Sequence, residues 1–187
     1  MKNKIIVLIT LTFAIAASLS AAEALDTTNT PAATVTNIAG PFHNGDALNA
    51  LDAPQIANHS LLVSAEIEPA GTNGVILAQG AGGNGYALYL KDGKLAFAVR
   101  SESKLTTVIA ATPVGSGHFK IAASLAADGA VTISADDKTV ATGQAPGLIA
   151  AQPARGLSVG LNYRPVGDYT APNPFTGKIE NVRVQTW

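Results

Sequence analysis

The sequence predicts an all-β fold, an antiparallel two-sheet β-sandwich. Its most regular stretch holds two apolar runs, Tyr86–Lys91 and Lys94–Val99, joined by Asp92-Gly93, a dipeptide that tolerates the positive φ angles of a type I′ turn. About nine or ten such short runs follow one another at regular spacing, and no long helical pattern interrupts them. Short, evenly spaced strands without helices are typical of antiparallel sandwiches.

The two-residue turn fixes the pairing of this central hairpin. Lys91 must face Lys94, because a slip of one residue would turn the large apolar side chains outward. One face is therefore predicted to be core, and the opposite face is predicted to be open to solvent or to a ligand. The core face holds Tyr86, Leu88, Leu90, Leu95, Phe97 and Val99, and the open face holds Ala87, Tyr89, Lys91, Lys94, Ala96 and Ala98.

The other strands are predicted from the same alternation of apolar and polar residues. Asp128-Gly129 and Asp136-Asp137 stand where two further hairpin turns are expected, and Gly80–Gly85 is interpreted as a strand connection. Residues 162–174 are predicted to form a long polar loop. The predicted strands are Leu61–Glu68, Gly74–Gln79, Leu105–Ala111, His118–Ala126, Val131–Ala135, Lys138–Thr142, Leu157–Leu161 and Phe175–Val184.

The N-terminal residues predict export. Lys2 and Lys4 precede an apolar run and a series of small residues, the pattern of a secretory signal peptide over residues 1–24. An uncleaved membrane anchor is the alternative, although the apolar run is shorter than the roughly 20 residues that a spanning helix needs. Residues 25–40 are predicted to be a flexible arm, and residues 41–187 a single domain. The mature protein is then secreted or periplasmic and free of the membrane.

Composition excludes several classes of function. The chain of 187 residues has 12 basic and 13 acidic residues, a net charge of −1, and no basic cluster beyond its first four residues, so no nucleic-acid partner is expected. It has no cysteine, which excludes disulfides, thiolate metal sites and a cysteine nucleophile. His43, His59 and His118 are too scattered to indicate a metal site or a catalytic triad.

Four stretches together resemble one family. They read LLVSAEIEPAGTNGVILAQG at 61–80, GYALYLKDGKLAFAV at 85–99, VTISADDKTVATG at 131–143 and VGLNYRPVGDYTAPNPFTGKIENVRV at 159–184. In order and spacing they resemble the concanavalin A-like, laminin G-like jelly-roll module, most closely the C-terminal domain of bacterial arylsulfatases. The resemblance spans residues 55–186 and implies a jelly-roll sandwich.

The departures from that family indicate a protein that is not an enzyme and has no cofactor. Asn162 stands where the arylsulfatase domain carries an aspartate, so calcium is not expected although related modules bind it on loops. The catalytic sulfatase domain is missing, and Ala151 occupies the position of the convertible Cys or Ser in a chance match to its signature. Glu66 and Glu68 form a same-face carboxylate pair, but the glucanase pattern of this fold is not present.

Fold analogy and the polar loop lead to a binding hypothesis. Sugar sites combine aromatic faces with polar groups, and the long loop with the nearby hairpin face supplies both. We expect a secreted module that binds carbohydrate, such as a sulfated polysaccharide; the alternative is a structural module that docks on another envelope or secreted protein, akin to a sulfatase C-terminal domain standing alone. The predicted ligand-binding residues are Tyr89, Asn162, Tyr163, Arg164, Asp168 and Tyr169, with no catalytic or metal-binding residue.

Overall fold

The structure, a computed structural model, describes residues 37–187. The predicted signal peptide and residues 25–36 of the predicted arm lie outside the described residues. The described part contains strands and loops without a helix, as the sequence predicts. Its strands are β1 (Asn37–Phe42), β2 (Ala47–Leu48), β3 (Leu61–Pro69), β4 (Gly74–Gly80), β5 (Gly85–Lys91), β6 (Lys94–Ser101), β7 (Lys104–Ile109), β8 (Phe119–Leu125), β9 (Ala130–Ala135), β10 (Lys138–Gln144), β11 (Leu157–Val159) and β12 (Gly177–Thr186).

The strands form two antiparallel sheets of six strands each. Sheet A has the order β1-β12-β3-β8-β9-β10, and sheet B has the order β2-β11-β4-β5-β6-β7. The apolar faces of the two sheets enclose one large core, to which β3 contributes Leu61, Val63, Ala65 and Ile67. The predicted two-sheet sandwich is therefore confirmed.

The central hairpin has the predicted register. Lys91 pairs with Lys94, and Leu88 pairs with Phe97, because Asp92 and Gly93 adopt φ angles of 52° and 78°. Leu88 and Phe97 are both buried, and the Phe97 ring lies 6.2 Å from the ring of Tyr86 between centroids. The predicted core face of the hairpin is confirmed.

The predicted turn at Asp136-Asp137 also forms, and a further two-residue turn exists that the sequence did not indicate. Asp136 and Asp137 have φ angles of 47° and 62°, so they connect β9 to β10 as expected. Glu102 and Ser103 adopt the same conformation between β6 and β7, with φ angles of 50° and 68°. Neighbouring groups hold this unusual turn, since Asn84 Oδ1 accepts from Glu102 N and Gly83 O accepts from Ser103 N. Glutamate followed by serine is not a dipeptide that indicates a two-residue hairpin turn, unlike pairs that contain Gly, Asn or Asp.

The predicted boundary of the N-terminal arm is wrong. Residues 37–40 belong to β1, which pairs with β12 at the edge of sheet A. The longer β12 leaves backbone N–H and C=O groups unpaired on that side, and β1 satisfies them. Ile38 and most of its neighbours in β1 remain exposed, so the strand lacks the apolar alternation by which strands are recognised. Ala47–Leu48 likewise forms a short edge strand beside β11.

Phe97→Ala tests the orientation of the central hairpin. Removal of this buried ring should lower the free energy of unfolding by about 3–5 kcal/mol, measured by denaturant titration, because it leaves a cavity between the sheets. Leu51→Ala is the control, since Leu51 is 92% exposed and its loss should change stability by less than about 0.5 kcal/mol. A loss below about 1 kcal/mol for Phe97→Ala would contradict the assignment of this face to the core.

Candidate functional site

The loop 162–174, called the covering loop, lies on the outer face of sheet B. Its two ends are fixed to β4, where Gly160 N donates to Ile76 O at 3.0 Å and Val75 N donates to Asn173 O at 2.8 Å. Val166 from the loop is fully buried in a second apolar cluster, apart from the main core. This cluster also contains Val75, Ala78, Ala87, Tyr89, Ala96 and Ala98, with Tyr169 packed against it.

The prediction of an open face on the central hairpin is therefore wrong. Ala87, Tyr89, Ala96 and Ala98 are all fully buried, because the covering loop shields them from solvent. Alanine side chains allow this close approach, and Gly167 sits against the methyl group of Ala98, where a Cβ on the glycine would lie 3.1 Å away. The small residues are thus a packing surface for the loop.

Polar contacts hold the covering loop in place. The Tyr89 hydroxyl donates to Asp168 Oδ1, and Lys91 Nζ forms an ion pair with Asp168 Oδ2. Arg100 Nε donates to the carbonyl oxygen of Val166 at 2.8 Å, and the ring of Tyr169 lies 4.9 Å from the ring of Tyr89 between centroids. The polar contacts therefore position the loop from the side of β5 and β6.

The pKa values of the groups in this contact follow from its geometry. Burial strongly raises the pKa of Tyr89, and burial raises the pKa of Tyr169 to about 12, so both phenols stay neutral. Partial burial works to raise the pKa of Asp168, but hydrogen bonds from Lys91 and Tyr89 and the charge of Lys91 outweigh it and lower that pKa. Asp168 is consequently ionised and bonded at neutral pH.

The six predicted ligand-binding residues have different positions. Tyr89, Asp168 and Tyr169 meet in the contact that holds the covering loop, where the Tyr89 ring is buried. Asn162 is also buried, and its Oδ1 accepts from Arg164 N at 3.0 Å within a turn. Tyr163 and Arg164 are exposed, the former by 73%. A small pocket of about 200 Å³ lies beside these residues, and its lining includes Tyr89, Lys91, Asp168 and Tyr169.

A larger depression, called the outer groove, lies on the outer face of sheet A. Its volume is about 430 Å³, within the range typical of ligand sites. Its floor follows one row across four strands, since Arg183 pairs with Ser64, Ser64 with Ala122 and Ala122 with Ser134. Small residues in the middle of this row leave the space. The lining consists of Ser64, Ala65, Glu66, Lys120, Ile121, Ala122, Ser134, Asp137, Asn181 and Arg183.

A β-bulge shapes one wall of the outer groove. The pairing of β12 with β3 shifts register between Glu180 and Arg183, and Asn181 has a φ angle of 52° at this point. The extra residue adds the amide side chain of Asn181 to the lining beside Arg183. Bulges redirect side chains in this way, and their positions cannot be predicted from alternation alone.

Some charged side chains of the outer groove have a close partner, and others form no salt bridge within the described part of the chain. Glu66 Oε2 lies 3.2 Å from His118 Nε2 at the rim. Lys120 and Arg183, in contrast, form no salt bridge with any residue between 37 and 187. The backbone N–H of Lys120 donates to Asp136 Oδ1 at 2.9 Å and thereby fixes the turn that carries Asp137. The groove thus offers positively charged donors on Lys120 and Arg183 and negatively charged acceptors on Glu66 and Asp137.

Neither a metal cluster nor a membrane helix is found in the described part of the chain. No three His, Asp or Glu side chains among residues 37–187 lie close enough to share a metal ion. Within the same range, no helix is long and apolar enough to span a membrane. The expectation that no calcium binds stays a prediction.

The family of the chain follows from a comparison with family models. The laminin G domain model matches residues 67–186, which include strands from both sheets. The chain belongs to the laminin G domain family. A search of curated proteins finds no match to this laminin G domain. The predicted laminin G-like jelly roll is confirmed, whereas the likeness to arylsulfatase C-terminal domains stays a prediction.

Solved structures show the same fold at low sequence identity. The CBM40 of the Ruminococcus gnavus IT-sialidase, bound to α2,3-sialyllactose, has a TM-score of 0.59 at 16% identity, over 82% of this chain and 92% of that one. Domains LG4-5 of the mouse laminin α1 chain have a TM-score of 0.58 at 16% identity, over 76% of this chain and 40% of that one. A third structure is domain 4 of AbnA, a GH43 extracellular arabinanase from Geobacillus stearothermophilus, in complex with arabinotriose. It has a TM-score of 0.57 at 17% identity, over 75% of this chain and 66% of that one.

The outer groove could not be predicted from the sequence, although part of its signal is present there. The alternation in β3 correctly placed Glu66 on an outer face. The groove forms only when β12, β8 and β9 join β3, and these strands lie far apart in the sequence. A search for rows of small polar residues on the outer faces of several strands would have been needed.

Asp168→Asn tests how the covering loop is held. Because the folded-state pKa of Asp168 is lowered, its carboxylate stabilises the folded chain above the unfolded pKa of about 3.9, and this contribution is lost as the pH falls through the folded pKa. After allowance for solvent exposure, the variant should lose about 1 kcal/mol of unfolding free energy at pH 7. Asp92→Asn, at an exposed turn that asparagine tolerates, is the control. A difference between wild type and Asp168→Asn that is as large near pH 2 as at pH 7 would contradict this account.

Proposed function

We propose that this laminin G domain is a non-catalytic carbohydrate-binding module whose ligand lies in the outer groove of sheet A. One observation carries the proposal: the covering loop closes the outer face of sheet B over β4, β5 and β6, whereas the outer face of sheet A keeps an open polar groove. A sandwich has two outer sheet faces, and the chain itself occupies one of them. The groove on the other face is open to an extended ligand.

The lining of the outer groove suits sugar hydroxyl groups. Each hydroxyl donates one hydrogen bond and accepts others, so a sugar site needs both kinds of partner. Ser64, Ser134 and Asn181 supply both, Lys120 and Arg183 supply donors, and Glu66 and Asp137 supply acceptors. These side chains stand on a β-sheet, which holds them more rigidly than loops hold theirs. A preorganised polar surface favours a ligand with many hydroxyl groups.

The ligands of related folds support the same class of partner. The CBM40 structure contains α2,3-sialyllactose, and the AbnA domain contains arabinotriose. Both proteins share only the fold with this chain, so neither sugar is transferred to it. Because of the resemblance to arylsulfatase C-terminal domains, sulfated polysaccharides are included among the saccharides to be tested for binding.

The arrangement of acids supports binding without catalysis. Glycoside hydrolysis uses two carboxyl groups that flank the scissile bond. Of the outward pair Glu66 and Glu68, only Glu66 lines the outer groove, where it is bonded to His118. The other carboxyl group of the groove, Asp137, lies two strands away from β3, at the turn after β9. We therefore expect no hydrolase, lyase or sulfatase activity. Laminin G domains are typically extracellular binding modules, and with the signal-peptide pattern of residues 1–24 this supports a secreted or periplasmic location.

A second candidate function is a protein-docking module of the cell envelope or the secreted fraction. The observation that favours it is the chemistry of the outer groove, because none of its ten lining residues is aromatic. Strong polysaccharide binders stack sugar rings on aromatic side chains, and this groove must rely on hydrogen bonds instead. A surface of charged, polar and small side chains without aromatic rings would also fit the rim of a protein interface.

Ala122→Tyr tests the outer groove directly. A tyrosine on the small-residue floor should fill the space and lower the affinity for a saccharide at least about tenfold, measured by titration calorimetry after a glycan array has identified the ligand. Ala154→Tyr, an exposed position remote from the groove lining, is the control and should bind like the wild type.

Three outcomes would overturn parts of this proposal. Full binding by Ala122→Tyr with loss in Tyr163→Ala would move the site to the covering loop. Turnover of any polysaccharide, abolished by Glu66→Gln, would contradict a purely binding role. A silent array, with one stoichiometric protein partner whose binding Ala122→Tyr disrupts, would replace the saccharide by the docking function.

A further inference from the structure

We infer that the outer groove binds an acidic saccharide and that Arg183 receives its negatively charged group. The inference rests on the proposed function and adds the charge of the ligand and the residue that recognises it. Three observations support it. Arg183 lines the groove, Arg183 has no ion-pair partner among residues 37–187, and the acidic residues of the groove are directed away from Arg183 or lie at its other end.

Arg183 is the cation at one end of the groove floor. It lies on β12 directly opposite Ser64, and its side chain lines the cavity. No acidic side chain among residues 37–187 lies within salt-bridge distance of it, whereas Glu180 on the same strand is already paired with Lys178 at 3.1 Å. The guanidinium therefore faces the groove without a counter-charge from the described chain.

The acids of the groove leave the Arg183 end free for an anion. Asp137 follows β9, and β9 lies three strands away from β12 in sheet A, about 14 Å at the usual strand spacing. Asp137 therefore lies at the other end of the groove, where salt with a screening length of about 8 Å weakens its effect on an anion at Arg183. Glu66 is nearer, since it follows Ser64 by two positions on β3, and its carboxylate is directed to His118 at the rim, at 3.2 Å.

The chemistry of arginine points to carboxylate or sulfate groups on the ligand. A guanidinium presents several N–H donors in a planar fork that matches the oxygen atoms of either group. Lys120 adds a second unpaired cation on the same face, one strand beyond Glu66. Ser64 and Ser134 lie along the row that leads away from Arg183 and supply partners for neutral sugar hydroxyls. A short oligosaccharide laid across the strands, with an acidic sugar at Arg183, uses all of these groups.

Matched pairs of ligands and variants test this inference. The ligands are a uronate-containing oligosaccharide with its carboxyl-reduced form, and a sulfated oligosaccharide with its desulfated form; the two pairs distinguish carboxylate from sulfate. The wild type should bind at least one acidic member about tenfold more tightly than its neutral form. Arg183→Gln should abolish this preference, because the acidic form then loses more affinity than the neutral form does. Arg155→Gln, which removes an exposed arginine outside the groove, should retain the preference.

The outcomes separate the inference from the proposed function. Equal affinity for the acidic and neutral forms would overturn the charge inference and leave saccharide binding intact. Equal effects of Arg183→Gln and Arg155→Gln would show only a general effect of net charge and would likewise overturn it. If no saccharide of any kind binds, the proposed function itself fails. Should Arg183→Gln not fold, comparison of the ligand pairs on the wild type at low and high salt decides the question, because only an ion pair weakens with salt.

Discussion

Burial of sheet B on both faces is the constraint on which the rest of this structure depends. One face of β4, β5 and β6 packs against sheet A, and the other packs against the covering loop. Strands that are buried twice need apolar or small side chains at every position, as the central hairpin has. The loop can seal this face because its buried Val166 meets alanines and because Asp168 joins it to Tyr89 and Lys91.

This constraint also decides where the domain can meet a partner. With one outer face occupied by the chain itself, the remaining sheet surface is the outer face of sheet A, where small residues between longer polar ones leave the outer groove. A bulge in β12 and a fixed hairpin turn after β9 form parts of its walls. The groove is thus a consequence of strand pairing and side-chain size, with one tight turn at its end.

Local strands and turns could be predicted from the sequence, whereas packing between segments that lie far apart in the chain could not. The Asp92-Gly93 turn determined a register that the structure reproduces, because its chemistry acts over four residues. The alanine face of the same hairpin was interpreted as open, but alanine is compatible both with exposure and with close packing. Which of the two occurs depends on the covering loop, about 70 residues later in the sequence. The site residues chosen from that loop were selected for their chemistry. Tyr89, Asp168 and Tyr169 use that chemistry to hold the loop, while Glu66, Lys120 and Arg183 come together only through pairing of distant strands.

The central claim is that the outer face of sheet A binds the ligand, and NMR titration of the labelled protein with a binding saccharide tests it most directly. The account predicts that the largest shifts occur at the amides of Ser64, Lys120, Ala122 and Asn181, which line the outer groove, and that those of residues 162–170 stay nearly unchanged. Shifts concentrated on residues 162–170, with the outer groove unaffected, would contradict it.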